Sequence, residues 1–184
     1  GASKPAAPPA GPPAANYFVA PTGSDQNPGS IDRPFASLQH ALNLVKPGQV
    51  ICLRGGTFLP TATTQFKTGG QPGASIEVRS YPGELPVMDG AGLPGDSVTW
   101  RFAKTGHWRI RGPLRLTNGR GAGVYVDHDS LDSEFDQVES SYNGKAAARG
   151  GHGFFVQGPN IKDITFNNCD GHHNANHRTL PGES

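Results

Sequence analysis

One short pattern recurs along the chain at the length of a structural coil. Gly123-Val124-Tyr125-Val126 returns as Gly153-Phe154-Phe155-Val156, 30 positions later. Tyr142-Asn143-Gly144 returns as His173-Asn174-Ala175, 31 positions later, and Thr117-Asn118-Gly119 precedes it by 25. A period that varies between 25 and 31 belongs to stacked units of one turn each, joined by loops of unequal length. Each such unit is too small to bury its own apolar face and depends on its neighbours in the stack. Stacking predicts an asparagine ladder of Asn118, Asn143 and Asn174, because Asn tolerates left-handed backbone and its amide can bond to the coils above and below. Phe135 and Val138 match Phe166 and Cys169 at the spacing of 31, which predicts an inward-facing stack.

The segments between the repeats agree with this. With 26 Gly and 17 Pro in 184 residues, the chain has many turns and little helix. Strands of three to five residues are expected at Tyr17-Phe18-Val19, Val50–Leu53, Ile76–Arg79 and Val87-Met88-Asp89. Leu38, Ala41, Leu42 and Val45 make one apolar helical stripe, with Ser37 as N-cap and Pro47-Gly48 as the stop. An amphipathic helix ahead of the coils can cover the open end of a strand stack, whose apolar interior and backbone groups are otherwise exposed. From Asn16 to Phe58 the order strand, turn, helix, turn, strand suits the first coil of a right-handed parallel β-helix with an N-terminal capping helix. An all-β sandwich also has short strands and frequent turns, but accounts for neither the coil-length repeat nor the opening helix.

Residues 1–15 are a Pro/Ala-rich linker, and residues 16–184 are expected to form one portion of the β-helix domain. Sixteen Lys and Arg against fifteen Asp and Glu, without a basic run, argue against a nucleic-acid binder. No apolar stretch reaches the length of a membrane span. Cys52 and Cys169 are too far apart for a disulfide framework or metal-ligand spacing and read as buried free thiols, with a long-range bridge left open.

The opening pieces resemble bacterial extracellular right-handed parallel β-helix proteins. They are Tyr17–Asp25, Arg33–Ala41, Lys46-Pro47-Gly48, Arg54–Phe58 and Tyr81-Pro82-Gly83. Gly151–Gly158, followed by Asn168-Cys169-Asp170-Gly171-His172-His173-Asn174, resembles the family nine pectate lyases and their rhamnogalacturonan-cleaving relatives. The resemblance implies a secreted or periplasmic bacterial protein that cleaves acidic, pectate-like polysaccharide by β-elimination with calcium. In that family an Asn-Cys-Asp coil is followed by a long loop and an Ala-Asp-Gly-Phe strand. That strand begins the calcium-binding aspartates, and the catalytic lysine comes later. No position here matches those aspartates or that lysine. The expectation is therefore a β-helix truncated after its first few coils, inactive alone, with calcium ligands mostly beyond Ser184 and self-association through an open C-terminal coil.

The residues themselves offer candidates. β-Elimination needs a base to take a proton and a cation to stabilise the resulting anion. Lys145 and Arg149, in an inserted loop, are candidates for catalysis and for contacting an anionic sugar chain, with a solvated basic loop as the plain alternative. Asp127, Asp129 and Asp132, with Glu134 nearby, are candidate oxygen ligands for a hard cation, or a solvated acidic loop. Asp127 and Asp129 share strand parity and would project from one face if the strand extended that far. His172, His173 and His177 form a small cluster, read as loop histidines rather than a zinc or nickel site. Trp100, Trp108, Tyr125 and Phe155 can stack on sugar rings, core packing being the stronger reading for most, and Tyr125 is the substrate-binding candidate among them. Two other classes stay open. One is a non-catalytic polysaccharide-binding or adhesion module. The other is a hydrolase using paired carboxylates such as Asp127 with Asp129 or Asp170.

Overall fold

A computed structural model describes residues 12–144 and 151–174. The chain opens with β1 (Tyr17–Val19) and α1 (Leu38–Leu44), then winds into coils. The first coil is β2 (Val50–Leu53), β3 (Gly56–Phe58) and β4 (Thr64–Phe66); the second is β5 (Ile76–Ser80), β6 (Pro86–Asp89) and β7 (Trp100–Phe102). β8 (Gly106–Thr117) with β9 (Val124–Val126) makes the third, and β10 (Leu131–Ser141) with β11 (Phe154–Val156) the fourth. β12 (Lys162–Asn167) and β13 (Asp170–His172) begin a fifth. All pairings between these strands are parallel. This is the parallel β-helix expected from the repeat, and the sandwich is excluded.

Two sheets wrap the solenoid. The long sheet runs β1-β2-β5-β8-β10-β12 and turns a corner into β3-β6-β8 and β10-β13; the short sheet runs β4-β7-β9-β11. β8 and β10 exceed the three to five residues anticipated, because each passes round the corner without breaking its ladder. The bend falls at Gly112-Pro113 in β8 and at Gln137 in β10, where φ is 56° and the register shifts between Asp136 and Val138. A Cβ at Gly112 would lie 1.9 Å from the Gln137 carbonyl oxygen, so only glycine fits the inside of this corner.

Inside, like residues stack coil upon coil. Ile51, Val78, Ile110, Phe135 and Phe166 form one register column of the long sheet. Phe66, Phe102 and Val126 form another on the short sheet. Between them Phe66 stacks on Phe102 at 4.0 Å between centroids, and Trp108 meets Phe66 edge to face at 5.1 Å. Trp100 and Trp108 are fully buried, and the Trp108 indole N–H donates to Thr105 at 2.8 Å. The predicted stack of Phe135 and Val138 with Phe166 and Cys169 is observed. Both cysteines are free; Cys52 is buried and Cys169 half-buried. Burial pushes the Cys52 thiol up to about 11, so it packs as a small apolar group.

The capping helix forms where its stripe predicted. The Ser37 hydroxyl accepts from the His40 N–H at 3.2 Å, and Leu38, Ala41 and Leu42 turn inward. Asp25 fixes the helix entry by accepting from the backbone of Ala36 and Ser37 and from the Ser37 hydroxyl.

The asparagine ladder exists but is shifted by one residue. Ser141 pairs with Thr117 on one side and His172 on the other, so Asn143 aligns with Gly119 and Asn174. The Asn143 side-chain carbonyl accepts from Gly119 N–H at 2.8 Å, while Asn174 accepts from both the backbone and the side chain of Asn143. Asn118 instead aligns with Tyr142 and His173, and all three hold positive φ. Its amide donates to Asp89 at 3.2 Å. The ladder also accounts for the glycine that opens the repeated tetrapeptide. A Cβ on Gly123 would lie 2.0 Å from the Ser140 hydroxyl and 2.9 Å from the Asn143 amide nitrogen.

Candidate functional site

The two sheets present different outer faces. On the long sheet the outward columns are charged. Glu77, Arg109 and Glu134 are register neighbours, as are Arg79, Arg111 and Asp136. Arg109 donates to Asp132 at 2.9 Å, Arg111 to Glu134 at 3.2 Å, and Arg115 pairs with Glu139 at 2.9 Å. His107 adds a 2.5 Å contact to Asp132. Burial alone would raise the carboxyls of Asp132 and Glu139; hydrogen bonds from His107 and Arg109, and from Arg115, Ser141 and His172, outweigh it and lower both.

The short sheet has one outward residue per strand: Gln65, Arg101, Tyr125 and Phe155, in register. Tyr125 stacks on Phe155 at 5.2 Å, and His152 lies parallel to Phe155 at 4.7 Å. The Arg101 guanidinium lies 6.0 Å from the Tyr125 ring centre. It pairs with Asp127, whose other oxygen accepts from the His128 backbone at 2.7 Å and contacts its ring nitrogen at 2.9 Å. Burial would raise the Asp127 carboxyl, but the hydrogen bonds from Arg101 and His128 hold it far below the usual carboxylate range. Asp127 is therefore held as an anion against Arg101. The face offers a cation, an aromatic row and an exposed imidazole, suited to holding a polar polymer.

The predicted metal ligands are not brought together. Asp127 holds Arg101 and His128, Asp129 accepts from Asn160 at 2.8 Å, and Asp132 sits on the long sheet with His107 and Arg109. Glu134 is also on the long sheet, with Arg111. β9 stops at Val126 and Asp129 takes a φ of 54°, so the shared strand parity of Asp127 and Asp129 is never realised. Asp170 lies on β13, against Glu139, so it does not face Asp127 across the short sheet. Among the described residues no group of three or more His, Cys, Asp or Glu could hold a metal. These carboxylates lie on different faces of the coil and do not form one oxygen cluster.

Lys145, Arg149 and His177 lie outside the described residues. His172 ends β13 and His173 follows it, their Nδ1 atoms 2.7 Å apart, and the other His172 nitrogen contacts Glu139 at 3.2 Å. Of the four aromatic candidates, Trp100 and Trp108 are core, while Tyr125 and Phe155 face outward. Arg101 escaped the reading of the sequence. The signal was available: Thr64-Gln65-Phe66, Trp100-Arg101-Phe102, Val124-Tyr125-Val126 and Phe154-Phe155-Val156 are one motif with a variable middle residue. A separate cleft of about 490 Å³ lies at the capped end, lined by residues including Pro21, Gln39, Leu59 and Met88.

Residues 17–184 match the family described as Pel9A-like, right handed beta helix region. Pectate lyase PEL9 of Emericella nidulans is 31% identical over 163 residues, covering 82% of this chain and 38% of that protein. Pectate lyase L of Paenibacillus polymyxa is 29% identical over 133 residues, covering 71% of this chain and 29% of that protein. The chain thus spans well under half the length of these relatives. The crystal structure of pectate lyase Pel9A matches with a TM-score of 0.61 at 21% identity, over 83% of this chain and 46% of that one. The solved structure of a rhamnogalacturonan lyase matches with a TM-score of 0.57 at 14% identity, over 83% of this chain and 56% of that one. These two likenesses carry the fold alone. The matched profile and the PEL9 relative carry the family: the chain belongs to the Pel9A-like right-handed β-helix family.

Proposed function

We propose that this chain serves a secreted bacterial polysaccharide lyase acting on acidic, pectate-like polysaccharide by calcium-assisted β-elimination, and that its described residues contribute the capped scaffold and a sugar-binding face. The observation that carries the binding part is the outward row Arg101-Tyr125-Phe155 on the short sheet. Relatives named as pectate lyases support the reaction and the substrate class. Calcium enters through the family resemblance alone, and no chemical step is assigned to the described aspartates. Lys145 and Arg149 remain proposed contacts for an anionic chain, because they lie between β10 and β11 in the sequence.

The test is incubation with polygalacturonate, with and without calcium, while following the absorbance of the unsaturated product. Acting alone, the 184-residue chain should bind polygalacturonate and release no product. A polypeptide carrying this stretch within the full length of its relatives should release it. Product from the chain alone overturns the division of labour; none from the longer polypeptide overturns the lyase reading and leaves the binding or adhesion module. That second reading is supported by the same outward row, which can hold a polymer without any chemical step.

Self-association belongs to the same proposal. Ile164, Phe166 and Cys169 are only half-buried on the last described coil. Size-exclusion chromatography with light scattering should show concentration-dependent association; a monomer at high concentration sinks it. No helix among the described residues is long and apolar enough to cross a membrane.

A further inference from the structure

We propose that Arg101 is the residue on the short-sheet face that reads the carboxylate of an acidic sugar, giving preference for uronate over its neutral ester. The inference rests on the polysaccharide reading above and assigns its specificity to one side chain.

Arg101 sits between Trp100 and Phe102, both buried, so β7 is anchored and Arg101 alone of the three points outward. Its side chain is 37% exposed, enough to meet a ligand. A single acceptor, Asp127, engages its guanidinium among the described residues, through one terminal nitrogen. A guanidinium carries five donors in a planar fork matched to a carboxylate, so donors remain for a second anion. Asp127 is itself held by His128, which fixes the fork in place before any ligand arrives. Tyr125 and Phe155 continue the row along the solenoid axis, one strand spacing per coil, so a polymer lying on them passes Arg101.

The long sheet shows the contrast. There Arg109 and Arg111 each meet carboxylates on β10, and Arg115 pairs with Glu139. Those guanidiniums have carboxylates as register neighbours on β10, whereas the register neighbours of Arg101 are Gln65 and Tyr125 and its one carboxylate, Asp127, comes from just beyond β9.

The experiment measures binding of the full chain to polygalacturonate and to highly methyl-esterified pectin by affinity electrophoresis and calorimetry. Wild type should prefer the acid form by about tenfold or more, the order of one charge-assisted hydrogen bond. Arg101→Gln should bind both forms equally. Arg101→Lys keeps the charge without the fork and should retain a reduced preference, and it stands in if the Gln variant does not fold. Arg111→Gln, on the other sheet, should leave the preference unchanged. Absence of preference in wild type, its persistence in Arg101→Gln, or equal loss in Arg111→Gln overturns the assignment. Equal binding of both polymers, alongside product release by the longer polypeptide, sinks Arg101 and spares the lyase. Carboxylate preference without product from that polypeptide does the reverse.

Discussion

The long and short sheets are built from the same coils, yet they spend their outer faces differently. Outward positions of the long sheet are mostly Arg, Glu or Asp, and Arg109, Arg111 and Arg115 each find carboxylates on β10. The short sheet, three residues per strand, has one outward position per coil and fills it with Gln65, Arg101, Tyr125 and Phe155. The difference teaches that charge along a parallel stack is structural when every neighbour answers it. On the short sheet the rungs beside Arg101 are Gln65 and Tyr125, and recognition is proposed there. Cross-strand partners decide this, since side chains directly opposite on adjacent strands are in contact.

The largest effect should come from what both faces share. Trp108→Ala empties the junction where β8 meets Phe66 and Phe102 and should cost about 3–5 kcal/mol in chemical denaturation. A loss below 1 kcal/mol would mean that the two sheets do not depend on one core. Next is the ladder at the corner between them. Asn143→Ala leaves the Gly119 N–H without its acceptor in a buried site and should cost about 1–3 kcal/mol. Asn118→Ala, outside the ladder, should cost clearly less, and the reverse order would restore the register first expected.

Acid separates the faces further. Asp127 on the short-sheet side, and Asp132 and Glu139 on the long, all have carboxyls lowered in the folded state. Their stabilisation is complete above the unfolded values near 4, and it is lost as pH falls from there toward the folded values. Denaturation midpoints should hold between pH 7 and 5 and drop below about pH 4. Asp127→Asn should flatten that drop more than Asp132→Asn, because the Asp127 side chain is 12% exposed and that of Asp132 40%. Equal slopes would remove the distinction.

The smallest stability changes carry the sharpest test of function. Phe155→Ala breaks its stack with Tyr125 and should cost about 0.5–1.5 kcal/mol beyond lost burial while weakening polysaccharide binding. Arg111→Gln should cost about 0–1 kcal/mol and leave binding intact. If binding follows Arg111 instead, the faces have been assigned the wrong way round.

The coil-length repeat, the helix stripe ending in Pro47-Gly48, and the match of Phe135 with Phe166 were all legible. Each is a periodic signal, repeated by the chain itself. The ladder was misread by one residue because three asparagines in similar surroundings align equally well by eye. Only the pairing of Ser141 with Thr117 and His172 shows that Gly119 is the third rung. The parting of the acidic run at 127–134 was not legible for a related reason. Four carboxylates close in sequence look like one cluster until the turn at Asp129 sends Asp127 toward the short sheet and Asp132 and Glu134 toward the long.

By itself the sequence determined a parallel solenoid, its capped end and the residues that stack inside it, because hydrophobic burial repeats with the coil and leaves a period. Only the tertiary structure decided which charged side chains meet, since partners such as Arg101 and Asp127, 26 positions apart, are joined by the loop lengths between coils. Those lengths vary from coil to coil, and no local pattern of residue types encodes the register that they produce.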